Sequence, residues 1–383
     1  EETYWRPEEI EPAIDNPDEA ADRLRDVLIE SVRLHLRSDV PIAVSLSGGL
    51  DSGSIAAVLA SELDANGLDT FTASFPGDPA DERRYVERLT QSPAQRSAFR
   101  PHFVTPEPEE FLAELDGFVW QHDEPVGSLS QYAGYRIARE IRHHGISVTL
   151  NGQGGDEILG GYWQSYFAHL RRLLHSGHLF ELSRQLGGAL LPHGNREALR
   201  QPLFLLRRYR QRRTAGGSAP QMLAKVLAMP EVERRLFEIR RLFLPRLLRW
   251  DDRNLMAFSV EGRYPFLDHI VIETALQFKP RALYRAGWTK LPLRRAMKGR
   301  VPPEILQRRD KQGFETPQER WCRGPLAAAL GRFVASDSPV WSIIDRTQIN
   351  PHPTEPESHQ GLIRALLVDR WIDRFDVRVS EAA

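Results

Sequence analysis

The chain has 383 residues, more than one compact core usually covers, so one elaborated domain or two lobes are expected. Hydrophobic residues make up 41% and charged residues 27%, and a net charge of −1 gives no global field toward nucleic acid or a membrane. The one cysteine, Cys322, excludes a disulfide framework and a thiolate zinc site and reads as a small buried hydrophobe.

With no long apolar run and no signal-peptide pattern, the expected location is cytoplasmic. The first residue is Glu1 rather than methionine, as expected of a piece trimmed from something longer. Residues 1–17, rich in glutamate and proline, read as an extended lead-in to a domain over 18–383.

From Asp18 the apolar spacing turns helical, with Leu24, Val27, Leu28 and Val32 at short helical steps, until Ser38-Asp39 breaks it. Residues 41–46 are short and apolar between turn residues, which predicts a buried parallel strand. A helix is predicted over 54–63, a strand over 70–75, a helix over 82–89 and a short strand over 102–105. Residues 111–120 and 132–143 are helical in pattern, and 145–150 is another buried strand. Strands alternating with helices predict a doubly wound, mostly parallel α/β sheet over about 18–162.

Residues 163–383 form a mainly helical part, rich in arginine over 163–250. Within it, 207–213 and 214–218 read as a solvated helix end and a flexible loop. Arginine beside Tyr209 is also compatible with an RNA contact, which the near-neutral charge weakens.

Between the first strand and its helix stands Ser47-Gly48-Gly49-Leu50-Asp51-Ser52. A strand ending in Ser-Gly-Gly and followed by a helix presents backbone N–H groups at a helix N-terminus, a ready anion site. A tight turn with a helix cap accounts for the same residues. Neither G-x-x-x-x-G-K-[ST] nor G-x-G-x-x-G is present there. Asp51 repels phosphate unless a cation bridges them, and Mg2+ is the natural bridge.

A second glycine cluster, Asn151-Gly152-Gln153-Gly154-Gly155-Asp156-Glu157-Ile158-Leu159-Gly160-Gly161-Tyr162, follows the strand at 145–150. Strand ends share one edge in a doubly wound sheet, so Asp51 and Asp156 are expected to face each other across a ligand bound in the crevice there. A glycine-rich turn with a capping aspartate is the alternative. Histidine spacing gives no transition-metal motif.

Four ordered stretches carry a family resemblance. The hexad at 47–52 is similar to the SGGxDS pyrophosphate loop of N-type ATP pyrophosphatases. The cluster at 151–162 resembles the asparagine synthetase branch, whose members carry SGEGSDE or GQGGDE followed by a GGY-like segment. Residues 252–269, DRNLMAFSVEGRYPFLDH, resemble that branch's DRNSMAHSLEVRVPFLDH. Residues 309–314, RDKQGF, resemble RKKQGF, with Asp310 departing from it.

The resemblance covers nearly all the chain. It implies ATP as substrate, with Mg2+ held by Asp51 and Asp156. Leu46 and Ala73 would contact adenine, and Asn151 and Gly152 the nucleotide. Lys311 would approach the phosphates and the adenylate, where a fixed cation stabilises developing charge. Gln153 and Glu157 fall on the substrate side. Arg263 and Asp268 are expected to pair and hold the turn Pro265-Phe266-Leu267, with Glu261 also in a supporting role.

The implied reaction adenylates the side-chain carboxylate of aspartate, releases pyrophosphate and transfers ammonia to give asparagine and AMP. Two departures keep the substrate open. The glutaminase domain that supplies ammonia in glutamine-dependent members is absent from this chain, so ammonia or another amine comes from elsewhere or from a trimmed domain. Gln153 stands where many members have glutamate, and a neutral amide is no base. Relatives that close an amide within one molecule, β-lactam synthetases and lasso-peptide cyclases, are the alternative. A non-catalytic nucleotide-binding module ranks third, and a homodimer is the assembly kept in view.

Overall fold

Five strands, β1 (Ile42–Ser45), β2 (Leu68–Ala73), β3 (Phe99–Val104), β4 (Val148–Leu150) and β5 (Glu261–Arg263), form one parallel sheet in the computed structural model. The structure describes residues 2–93, 95–199, 218–309, 316–349 and 356–378. The spatial order is β3-β2-β1-β4-β5, with Val44 opposite Thr70 on one side and Leu150 on the other. The α/β sheet expected from the alternating pattern is present. Its fifth strand comes from the later, mainly helical part, so the two parts share one sheet.

Both faces of the sheet are buried, which is why its strands read as continuous apolar runs rather than alternating ones. Val44 belongs to one core, with Leu24 and Leu28 of α1 (Pro17–His35) and Ile55 and Leu59 of α2 (Leu50–Glu62). Ala43 and Phe71 belong to the other, with Phe111 and Phe118 of α4 (Pro108–His122) and Tyr132 and Ile137 of α5 (Ser130–His143). Helix α3 (Arg83–Thr90) lies between β2 and β3 in sequence. The strand period of two sends neighbouring residues to opposite cores.

Helix α1 starts where the sequence changes. The Asn16 side chain accepts from Asp18 N at 2.8 Å, and Pro17 takes the first helical position. Helix α2 begins at Leu50, earlier than its apolar pattern suggested, because Gly49 in extended backbone takes the N-cap. Asp51 and Ser52 therefore occupy the first turn of α2. Among the described residues, no helix is long and apolar enough to cross a membrane. Cys322 is 3% exposed, and burial pushes its thiol pKa up to about 12.

The turn after β5 is held differently from expectation. Arg263 donates to the backbone oxygens of His35 and Arg37 at 2.7 Å each and to Glu261 Oε1 at 2.6 Å. Asp268 instead caps the helix His269–Leu276, accepting from Ile270 N at 2.8 Å. The strand projects Arg263 toward the end of α1, whereas the short 3-10 turn Pro265–Leu267 carries Asp268 to a helix start.

A pair of arginines lies in the interior. Arg234 and Arg235 are both fully buried. Arg235 donates to Ile158 O at 2.9 Å, Ala275 O at 2.7 Å and Phe278 O at 3.1 Å. It thus ties α6 (Gly155–Leu159) to the helix His269–Leu276. Arg234 pairs with Glu231 and, at 3.0 Å, with Glu238. Residues 200–217, which include the arginine run, lie outside the described residues. Replacing Arg235 by alanine removes the side-chain donor from three buried carbonyls and one of the two arginines that face the buried Glu231. Urea unfolding of Arg235→Ala is expected to show a loss of about 3–5 kcal/mol.

Candidate active site

Parallel strands deliver their carboxyl ends to one edge, and β1 is where the order turns from β2 on one side to β4 on the other. Ligands of such sheets bind in the crevice at that point. The loop after β1 is 47–52, and the loop after β4 is 151–155. In the first, Ser47 N donates to Ser52 Oγ at 3.2 Å, and the two hydroxyls also meet at 3.2 Å. The first-turn N–H groups of α2 have no partner within their own helix, which makes this end anion-seeking.

Asp51 and Asp156 are brought together on a residue the sequence did not single out. Lys290 Nζ donates to Asp51 Oδ1 and Oδ2 at 2.6 Å each and lies 2.7 Å from Asp156 Oδ1. The Lys290 side chain is 3% exposed, against 13% for Asp51 and 15% for Asp156. A nearly desolvated ammonium persists only when paired, and here it is paired with both carboxylates. Its backbone is left-handed, φ 53 and ψ 36, a conformation costing a non-glycine residue about 1 kcal/mol or more.

Glycine makes the convergence sterically possible. A Cβ on Gly155 would lie 2.8 Å from Asp51 Cγ. A Cβ on Gly161 would lie 2.0 Å from Asp156 Oδ1 and 2.1 Å from Lys290 Cε. Part of the glycine cluster therefore accommodates the protein's own charged side chains.

Surrounding contacts fix the pieces. Thr289 Oγ1 donates to Gly161 O at 3.3 Å. Arg294 Nε donates to Thr289 O at 2.9 Å, and its Nη1 reaches Leu306 O. Burial pulls the Arg294 pKa down to about 10, against the opposing pull of Asp51 and Asp156. Behind the first loop, Arg308 pairs with Glu82, donates to Gly48 O at 3.4 Å and lies 4.2 Å over the Tyr85 ring.

The other expected residues fall as follows. Leu46 and Ala73, at the ends of β1 and β2, are buried. Gly152 packs on the backbone of Ser52. Asn151 is buried, and its Nδ2 donates to Asp251 Oδ2 at 2.9 Å. Tyr264 OH donates to the same oxygen at 2.8 Å. Gln153 is half-buried. Glu157 is buried and accepts from Tyr162 OH. Burial, then Asp156 nearby, raises the Glu157 pKa. Lys311, with Asp310 and 312–314, lies outside the described residues.

Sequence reasoning missed Lys290, Arg294, Arg308 and Asp251. The first two lie in Lys290-Leu291-Pro292-Leu293-Arg294, which shows no link to the loop at 47–52 until the chain is folded. Asp251 directly precedes the 252–269 stretch, but nothing in its spacing marks it.

Two carboxylates converging on one cationic atom form a hard, oxygen-only donor set. Among the described residues no group of three or more His, Cys, Asp or Glu side chains forms a metal cage. Such a pair fits Mg2+, which is held by one or two carboxylates together with phosphate oxygens. Beside it stand the anion-seeking end of α2 and a buried ammonium.

Comparison with known proteins identifies a family. The family model described as asparagine synthase matches residues 23–373. Asparagine synthetase [glutamine-hydrolyzing] 1 of Bacillus subtilis is 27% identical over 98% of this chain and 59% of its own length. A putative asparagine synthetase [glutamine-hydrolyzing] of Mycobacterium tuberculosis is 32% identical over 81% of this chain and 50% of its own. Amidase chry2 of Gibberella zeae is 25% identical over 86% of this chain and 58% of its own. The chain thus spans between half and three-fifths of the length of these relatives.

The Asp251 carboxyl offers a pH test of the site's packing. Burial pushes its pKa from 3.8 up to about 6, while the bonds from Tyr264 and Asn151 partly offset this. The folded chain then holds this proton more tightly than the unfolded one. Stability from this group is full below about pH 4, declines as pH rises to about 6, and stays flat above. Urea midpoints from pH 4 to pH 8 are expected to show this decline in the wild type and to lack it in Asp251→Asn.

Proposed function

The chain belongs to the asparagine synthase family, and on that premise we propose that it catalyses ATP-dependent amide-bond formation. A substrate carboxylate, in the first instance the side chain of aspartate, attacks the α-phosphorus of ATP. Pyrophosphate leaves and an acyl-adenylate remains. Ammonia attacks the acyl carbon, AMP leaves, and asparagine forms. The observation that carries this reading is the convergence of Asp51 and Asp156 beside the N-terminus of α2, at the point where the strand order turns.

The chain's own groups have distinct tasks here. The N–H groups and hydroxyls of 47–52 hold the pyrophosphate, and the dipole of α2 favours its charge. Asp51 and Asp156 would hold Mg2+, which when bound neutralises charge on the leaving pyrophosphate. Leu46 and Ala73 border the adenine, and Gly152 lets the second loop close on the first. Asn151, turned toward Asp251, orients that loop. Lys311 supplies positive charge to the reacting phosphorus and acyl carbon. Gln153 and Glu157 are the substrate-side groups, and Glu157 is held by the bond it accepts from Tyr162 OH. Positioning and electrostatics supply most of such catalysis.

A second reading rests on Gln153. This neutral, half-buried residue cannot take a proton from the attacking amine. Two fungal relatives are named amidases, chry2 and chyE, so names in this neighbourhood are not confined to asparagine synthetase. The second reading keeps adenylation and changes the acyl group or the amine, including an amine within the same substrate.

Pyrophosphate release measured with ATP and aspartate, with and without ammonia, tests both. Aspartate-dependent release with asparagine as product supports the first reading. Release that ignores aspartate but responds to another carboxylate moves the assignment to the second. Asp51→Asn and Lys311→Ala are each expected to lower release by about a hundredfold or more while circular dichroism stays unchanged. Near-normal release in either variant refutes the role given to that residue.

A further inference from the structure

Lys290 engages both carboxylates at once, with hydrogen bonds to Asp51 Oδ1 and Oδ2 and an ion pair with Asp156 Oδ1. An ammonium has three donors, and three carboxylate oxygens lie within 2.7 Å of it, two on Asp51 and one on Asp156. Its stem is seated as well: Lys290 Cε lies 2.1 Å from where a Cβ on Gly161 would stand. The preceding residue is anchored twice, Thr289 Oγ1 donating to Gly161 O and Arg294 Nε donating to Thr289 O, and Lys290 O accepts from Arg294 N at 3.0 Å. Two carboxylates brought this close repel each other and need a cation between them.

We propose that Lys290 is a built-in counter-ion that stands in for the divalent cation at Asp51 and Asp156 and keeps out free metal, so that the cation enters only with a nucleotide. The proposal rests on the adenylation reading for the identity of that nucleotide. Its physical basis is competition for the same oxygens. A dication entering alone must displace an ammonium that has no water to turn to, since Lys290 is only 3% exposed. A dication entering with phosphate brings new acceptors for the displaced ammonium. It also brings the oxygens that complete its own shell, which Mg2+ prefers to a cage made wholly of protein. The left-handed backbone at Lys290 fits this role, because the strain is retained where a fixed cation is needed.

The test uses the full chain, with Mn2+ as a probe read by paramagnetic resonance and α,β-methylene-ATP as an uncleavable nucleotide. Wild type is expected to retain Mn2+ with the nucleotide and not without it. Lys290→Met keeps the apolar stem and removes the charge. Its nucleotide-free Mn2+ affinity is expected to rise by about tenfold or more, the scale on which one neighbouring charge acts. Mg2+ alone should then raise the thermal midpoint of Lys290→Met and leave that of wild type unchanged. Adding Asp51→Asn to Lys290→Met should abolish the gain, which locates the ion at this pair.

Wild type that binds Mn2+ alone as tightly as with nucleotide overturns the proposal and leaves the adenylation reading standing. A folded Lys290→Met chain with no gain in Mn2+ affinity overturns it equally. Wild type that takes up Mn2+ in neither condition overturns both the coupling and the adenylation reading. The wild-type measurements need no variant, so a Lys290→Met chain that fails to fold leaves the proposal open to refutation.

Discussion

The charge triad of Asp51, Lys290 and Asp156 is the constraint on which the neighbouring structure depends. Two carboxylates in the first turns of the helices that follow β1 and β4 repel unless something positive holds them, and Lys290 does so from a position almost closed to water. Meeting that requirement shapes the backbone. Gly155 and Gly161 have no side chain because Asp51, Asp156 and Lys290 occupy the space a Cβ would take. Lys290 accepts a left-handed backbone at the start of the helix Leu291–Ala296. These local costs persist because the ion pairs and the anchors at Thr289 and Arg294 outweigh them.

Behind the triad lies a layer of buried polar groups that holds the loops in place. Arg235 grips Ile158 O, at the back of α6, from beneath. Glu157 and Tyr162 close over one another, and burial pushes Glu238 in the same region up to about 7. On the other flank, Asp251 draws Asn151 and Tyr264 together, while Asn151 N donates to Arg263 O and so extends the pairing of β4 with β5. Each buried carboxyl therefore has hydrogen-bond or ion-pair partners, the condition under which such groups are tolerated. The second loop is fixed from both sides and meets the first with little freedom. A crevice that must present charge at set positions gains from that rigidity.

Much of the fold was legible in the residue pattern. The runs at 41–46, 70–75 and 145–150 are apolar because their strands are covered on both faces, and each became a strand of the parallel sheet. The hexad at 47–52 was legible because strand, glycine and helix start are adjacent in sequence, so their geometry is local. The pairing expected of Arg263 with Asp268 failed for a related reason. Two residues five apart look like partners in sequence, but a strand end and a 3-10 turn send their side chains to different neighbours.

By itself, the sequence determined the alternation of strands and helices, the glycine-bearing loops and the positions of Asp51 and Asp156 in the loop-to-helix segments after two strands. These depend on periodicity and on contacts between near neighbours. Only the tertiary structure decided that the two carboxylates meet on Lys290, that Arg294 stands near them and Arg308 behind the loop at 47–52, and that Asp251 turns Asn151 inward. Those contacts join residues more than a hundred positions apart in several cases, as with Lys290 and Asp51. A salt bridge of that kind leaves no periodic trace, because it requires only that two distant segments arrive at one place, and packing decides where they arrive.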